Sequence, residues 1–196
     1  MLFRSMWRMA DDFWDDWKEM LKMFDYAKSW EGRGGPGHWP DCDMIQIGKI
    51  SKRGPVGRER YSRFTDDELV THMTFWCIYR SPLMLGGNLP DNRELERRLF
   101  TNEEVLEVNQ KGEDPRQLYK QDGKMVWVSK ARKGYYVALF NIGEKEQVVD
   151  VDLGQLGLKG KVMVHDCWKK ADVGVFNKRY SQVVAAHGAA LVRVGE

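Results

Sequence analysis

The sequence predicts an α/β part followed by an all-β part, and a change in hydrophobic period divides the two. Up to about Asn109, apolar residues recur at helical spacing in segments opened by acidic or hydroxyl caps. From roughly Gln117 the period falls to two, in short runs separated by Gly, Asp and Asn turns. We place the division at residues 1–112 and 113–196.

After Asp12, the residues Phe13, Trp14, Trp17, Met20, Leu21 and Phe24 recur at helical spacing. Asp15, Asp16, Lys18, Glu19 and Lys22 take the other face. This predicts an amphipathic helix that begins at the acidic pair, with Asp11 as its cap. The glycine-rich stretch 32–37 ends that unit, and residues 43–47 predict a short buried strand with its exit loop. Thr65-Asp66-Asp67-Glu68 is a capping box, in which hydroxyl and carboxylate satisfy free N–H groups at a helix start. Leu69, Val70, Met73, Trp76 and Cys77 supply that helix with one apolar face, and Pro82 stops it. Leu83-Met84-Leu85 predicts a further strand and residues 94–100 a helix. Thr101-Asn102-Glu103-Glu104 caps another helix running to about Asn109. In the second part, residues 125–128, 135–140, 148–153, 162–164 and 189–194 predict strands. Val149, Val151 and Leu153 share one face and Asp150 and Asp152 the other, as in a sheet wet on one side.

Composition narrows the function classes. With 42% hydrophobic and 31% charged residues the chain fits a globular protein. A formal net charge of +2, with both signs interspersed, gives no reason to invoke nucleic acid. No run approaches the ~18 apolar residues of a membrane span. The opening Met1 to Trp7 is too short and too quickly charged for a signal peptide. Three widely spaced cysteines, Cys42, Cys77 and Cys167, argue against a disulfide framework. His38, Asp41, Cys42 and Asp43 crowd into one loop without a recognised zinc spacing, so neither metal nor cofactor is expected.

Two motifs carry a resemblance. Trp7-Arg8-Met9-Ala10-Asp11-Asp12-Phe13-Trp14-Asp15 and Gly35-Pro36-Gly37-His38-Trp39-Pro40-Asp41-Cys42-Asp43-Met44 resemble, in family order, the late catalytic domain of glycoside hydrolase family 27, the retaining α-galactosidases and their relatives. The likeness continues through Arg80-Ser81-Pro82-Leu83-Met84 and Val105-Leu106-Glu107-Val108-Asn109-Gln110. Ala138-Leu139-Phe140-Asn141 and Ala186-His187-Gly188-Ala189-Ala190-Leu191 resemble the sandwich appended to those enzymes. The resemblance implies that residues 1–112 are the last three or so units of a (β/α)8 TIM barrel and that 113–196 form an antiparallel β-sandwich. A complete barrel takes ~250 residues, about 30 per unit, so the stretch before Lys111 has room for about three. Met1 is therefore expected to be an internal position or the edge of a fragment. The implied parent is secreted or periplasmic.

The implied reaction is retaining hydrolysis of terminal α-D-galactosides in oligo- or polysaccharides. α-N-acetylgalactosaminides and β-L-arabinopyranosides are the alternatives. Retention requires two carboxyl groups, a nucleophile and an acid/base. Asp12, four residues after Arg8, matches the acid/base. The family's nucleophile, an Asp in a Lys-x-Asp setting on an earlier strand, is expected upstream of this chain. Lys120-Gln121-Asp122 and Lys170-Ala171-Asp172 fit that spacing only by chance. By the same resemblance Arg8 contacts sugar hydroxyls and site carboxylates, a task that suits its rigid fork of donors. Asp43 matches the second acid of an Asp-Pro-Asp motif, with Cys42 in place of the proline, and orients substrate. Trp39 and Met44 line the pocket. Taken without the resemblance these residues read differently: the acids as helix caps, Arg8 as a surface ion pair, Asp43 as a strand-end hydrogen bond and Trp39 as packing. Trp127 and Trp168 read as core. The chain alone, without a nucleophile, is expected to be inactive. The competing reading is a non-catalytic remnant that serves as a carbohydrate-binding or interaction module.

Overall fold

The computed structural model describes residues 5–52 and 57–195; most of the segment weighed above as a leader lies outside them. The first part begins with two parallel strands, β1 (Met6–Arg8) and β2 (Trp39–Asp41), paired Met6 to Trp39 and Arg8 to Asp41. Between them runs α1 (Trp17–Ser29), which buries Met20, Met23, Phe24 and Ala27. The helix starts five residues later than the acidic pair, and Asp16, not Asp11, caps it by accepting from the Lys18 N–H. The reason is tertiary. The Phe13 N–H donates to Asp43, the Phe13 carbonyl accepts from Gln46, and the Asp11 carbonyl accepts from Arg8. Groups that a helix would have used are thus spent on partners up to 33 residues away.

The strand expected at 43–47 is also displaced. β2 ends at Asp41, and Asp43 takes a left-handed backbone (φ 79°) as its N–H turns back to the Asp41 carboxylate. What remains of the expected pairing, including that of residues 83–85, is a single parallel bridge between Ile45 and Leu85. A short hairpin of β3 (Lys49–Ile50) and β4 (Arg60–Tyr61) follows.

The capping box is present: Thr65 Oγ1 accepts from Glu68 N–H, and the Glu68 carboxylate accepts from Thr65 N–H, at the head of α2 (Asp66–Tyr79). The helix is buried nearly all round, where one apolar face was expected, because it lies between the two halves of the chain. It ends at Arg80, whose left-handed backbone (φ 65°) precedes Pro82. α3 (Glu94–Thr101) and α4 (Glu103–Lys111) complete this part, with Asn102 capping α4.

A single residue, Gly112, separates α4 from β5 (Glu113–Gln121), so helix passes into strand without a linker. Further along come β6 (Lys124–Lys130), β7 (Tyr135–Asn141), β8 (Gln147–Asp152), β9 (Lys161–Asp166), β10 (Ala171–Asn177), β11 (Arg179–Val184) and β12 (Ala189–Gly195). Six of them form an antiparallel sheet in the order β10-β9-β12-β7-β6-β5, and β11 pairs with β8 as a second layer. The alternation within β6 shows how the layers stack. Val126 and Val128 join Val137, Leu139, Val149 and Val151 in the core between the sheets, whereas Met125 and Trp127 point the other way. There they join Phe24, Phe75, Trp76, Phe140 and Leu191 in one core shared with the helices. Trp168, partly buried, donates its indole N–H to Thr74 Oγ1 at 2.9 Å.

Polar ties reinforce this shared core. Thr71 donates to the His187 carbonyl at 2.6 Å, and Asn102 to that of Cys167 at 3.0 Å. His165 of β9 lies 2.7 Å from Asp172 of β10 and 2.8 Å from Glu104 of α4. The Asp172 hydrogen bond, then that of Glu104, raises the imidazole pKa above its ordinary 6.5. A folded-state pKa above the unfolded one gives stability that is fully present below the unfolded value and lost as pH rises through the folded one. Chemical denaturation at about pH 6 and about pH 9 should therefore show the native chain losing stability relative to His165→Gln over that interval. Parallel pH profiles for the two would remove His165 from the tie.

Candidate active site

The chemistry-bearing residues gather where the parallel strands end. Arg8 is the last residue of β1, and Asp41 and Asp43 stand at the end of β2 and two residues beyond it. One guanidinium nitrogen of Arg8 is 2.8 Å from Asp43 Oδ2 and 3.6 Å from Asp12 Oδ1, so a single cation faces both carboxylates. The two acids differ in setting. Asp12 is 79% exposed at its side chain, on the loop that α1 fails to absorb, whereas Asp43 is 5% exposed. Besides Arg8, the Asp43 carboxylate accepts the Phe13 N–H at 2.8 Å, and its carbonyl accepts the Trp76 indole N–H at 2.9 Å. Asp43 is thus held by Arg8 of β1, the Phe13 loop and Trp76 of α2, whereas among the described residues Asp12 meets only the Arg8 charge. Such an arrangement fixes one carboxylate as an acceptor and leaves the other open to solvent.

Of the remaining expected residues, Met44 follows Asp43 directly and is 44% exposed. Trp39 goes elsewhere. It sits opposite Met6, two residues before the end of β2, with the Arg80 guanidinium 4.7 Å over its ring. It lines a separate cleft with Trp30, Pro36, Tyr79 and Arg116, to which Arg8, Asp12 and Asp43 do not contribute.

The family model described as alpha galactosidase A matches residues 3–111, and that of the alpha galactosidase C-terminal beta sandwich domain matches 121–194. The chain belongs to glycoside hydrolase family 27. Among solved structures of this family, a β-L-arabinopyranosidase from Geobacillus stearothermophilus is 43% identical and superimposes with a TM-score of 0.94, over 98% of this chain and 45% of that one. Alpha-galactosidase D of Emericella nidulans is 27% identical over 97% of this chain and 28% of its own length. Alpha-galactosidase 2 of Arabidopsis thaliana is 26% identical over 93% of this chain and 44% of its own. The chain spans less than half the length of each of these family 27 relatives.

The structure adds residues that the sequence reading passed over. Asp15, assigned there to the solvent face of α1, is buried: Arg60 of β4 grips its carboxylate with two nitrogens and Arg63 N–H donates to it at 2.7 Å. Burial pushes the Asp15 carboxyl up, but these donors outweigh it and hold it below its ordinary value. Asp41 is buried beside Asp43, and burial raises its carboxyl. His72 of α2 is fully buried against Phe13 and Trp76, directly behind the groups that clamp Asp43. Neither of its ring nitrogens has a partner among the described residues, and burial pushes its pKa down to about 3. The Trp76 side chain read as plain core, and its indole N–H gave no sequence signal of the hydrogen bond it makes to Asp43.

Proposed function

We propose that this chain is the acid/base-bearing part of a retaining glycoside hydrolase acting on terminal α-D-galactosides. Residues 1–112 are then the last three units of a (β/α)8 barrel and 113–196 its appended sandwich. The observation that carries the reading is the Arg8 guanidinium set between exposed Asp12 and clamped Asp43 at the carboxyl ends of parallel strands, the end at which barrel enzymes build their sites. The names of the relatives support the same reaction class.

In this mechanism a nucleophilic carboxylate, supplied by the part of the relatives outside this chain, attacks the anomeric carbon. Asp12 protonates the departing oxygen, then takes a proton from the water that releases the sugar. Arg8 and Asp43 bind sugar hydroxyls as donor and acceptor, and Met44 offers an apolar wall. Trp39 lines the separate cleft beside Arg80.

One observation favours a second reading of the substrate. Identity to the β-L-arabinopyranosidase is 43%, against 26–27% for the two α-galactosidases. β-L-Arabinopyranose is the galactose ring without its exocyclic CH2OH, so the same acid/base geometry serves both and only the wall facing that group differs. Aryl α-D-galactoside and aryl β-L-arabinopyranoside should be assayed with the 196-residue chain and with a chain of the relatives' length that carries it. The expected result is no turnover by the former and turnover by the latter, with the ratio of kcat/KM values choosing the sugar. Turnover by the 196-residue chain would overturn the division of labour and give the nucleophile's role to a carboxylate within it, Asp43 first.

A further inference from the structure

The six-stranded sheet carries a polar row that the proposed reaction does not use. Strand register sets Tyr136 of β7 opposite Arg193 of β12, Arg193 opposite His165 of β9, and His165 opposite Asp172 of β10. Residues directly opposite one another share a face, so these four side chains stand in line. α4 meets the same face, with Glu104 at 2.8 Å from His165 Nε2 and Glu107 at 3.4 Å from the Tyr136 hydroxyl. Here lies a cavity of about 380 Å³, completed by Arg132 and Lys133 of the β6–β7 turn and by Met163. That volume lies within the range of small-molecule sites.

The charges around the cavity are unevenly committed. Asp172 and Glu104 are both spent on His165, and Glu107 pairs with Lys111 at 3.3 Å. Arg132, Lys133 and Arg193 have no acidic partner among the described residues within ion-pairing distance, so the cavity holds uncommitted donors of positive charge. A planar guanidinium fork of this kind matches a carboxylate with two parallel hydrogen bonds. Beside it, oxygens of Glu107 and Tyr136 can accept from hydroxyl groups. Met163, 40% exposed, presents an apolar surface to the C–H face of a ring.

We propose that this cavity binds an acidic sugar, a uronate residue of a glycan, with its carboxylate on Arg193 and the Arg132–Lys133 turn and its hydroxyls on Glu107 and Tyr136. None of these residues belongs to the Arg8–Asp12–Asp43 cluster, so the inference stands or falls apart from the hydrolytic reading. The test is calorimetric titration of the 196-residue chain with galacturonate, galactose and acetate. Galacturonate should bind saturably and weaken with added salt, while galactose and acetate at the same concentrations should not saturate. Arg193→Ala should lower galacturonate affinity about tenfold or more, with Arg193→Lys falling between it and the native chain. Should Arg193→Ala melt differently from the native chain, Arg132→Ala/Lys133→Ala in the turn must give the same loss. Acetate binding as well as galacturonate would reduce the cavity to a general anion site. Galactose binding equally would remove the carboxylate from recognition. No binding, or binding indifferent to all three cations, would also overturn the proposal.

Discussion

In a chain of the relatives' full length, Asp12→Asn is expected to slow hydrolysis of galactosides by about 10²- to 10⁴-fold, the usual share of general acid–base catalysis. The amide keeps the size of the side chain and its exposed position, so the loss reports the proton and not the fold. Removing Arg8's weaker contact, at 3.6 Å on an exposed acid, costs little stability. Asp11→Asn is the matched control. Among the described residues Arg8 takes from Asp11 only the main-chain carbonyl, at 2.9 Å, and the side chain can change without touching that bond. Steady-state kinetics on a natural oligosaccharide should therefore separate two adjacent, exposed aspartates by two orders of magnitude or more. Equal effects at both positions would show that charge near Arg8, and not proton transfer, is what the motif supplies.

Phe75→Ala destabilises the 196-residue chain by about 3–5 kcal/mol, the usual range for removing a buried aromatic ring. Phe75 is fully buried in α2, and its ring lies 4.6 Å from that of Phe24, 5.6 Å from Trp127 and 6.0 Å from Phe140. Those partners come from α1 and from two strands of the large sheet, so the cavity opens where the two halves share their core. Domains of this size are stable by only about 5–15 kcal/mol, so the variant loses much of its margin. Helical and β signals should melt together at a lowered denaturant midpoint. Val183→Ala, at a valine 56% exposed on β11, should change stability by less than about 0.5 kcal/mol. A Phe75→Ala chain in which the sheet melts at its native midpoint would mean that the sandwich does not depend on the helices.

What was legible in the sequence was whatever local chemistry decides. The Thr65–Glu68 box, the Asn102 cap and the strands with alternating or continuous valine and leucine all form where they were expected. Elements decided by distant partners were misread. Residues 9–15 carry a helical pattern of apolar residues, yet Asp43, Gln46 and Arg60 draw their polar groups out of a helix from 30 to 45 positions away. β5, β10 and β11 were not anticipated. β5 is a half-buried polar edge, and β10, the opposite edge, leaves Val173 and Val175 exposed and is interrupted by an irregular register near Gly174. In the candidate site, Arg8, Asp12 and Asp43 were singled out by motif likeness alone, since spacing does not bring residue 43 to residue 8. Trp39 of the same motif lines a separate cleft beside Arg80, because an aromatic residue in a motif says nothing about which end of its strand it occupies.

The measurement that bears most directly on Asp12 as acid/base is the kinetics of Asp12→Asn, in a chain of the relatives' length, on aryl glycosides of graded leaving-group acidity with and without azide. An acid is needed least when the leaving group is already a good one, and a small anion can replace the water that Asp12 would have activated. The account predicts near-native glycosylation for the most acidic phenols, a steep fall as leaving-group pKa rises, and acceleration by azide through a glycosyl azide product. A uniform loss across the series, with no azide product, would contradict it.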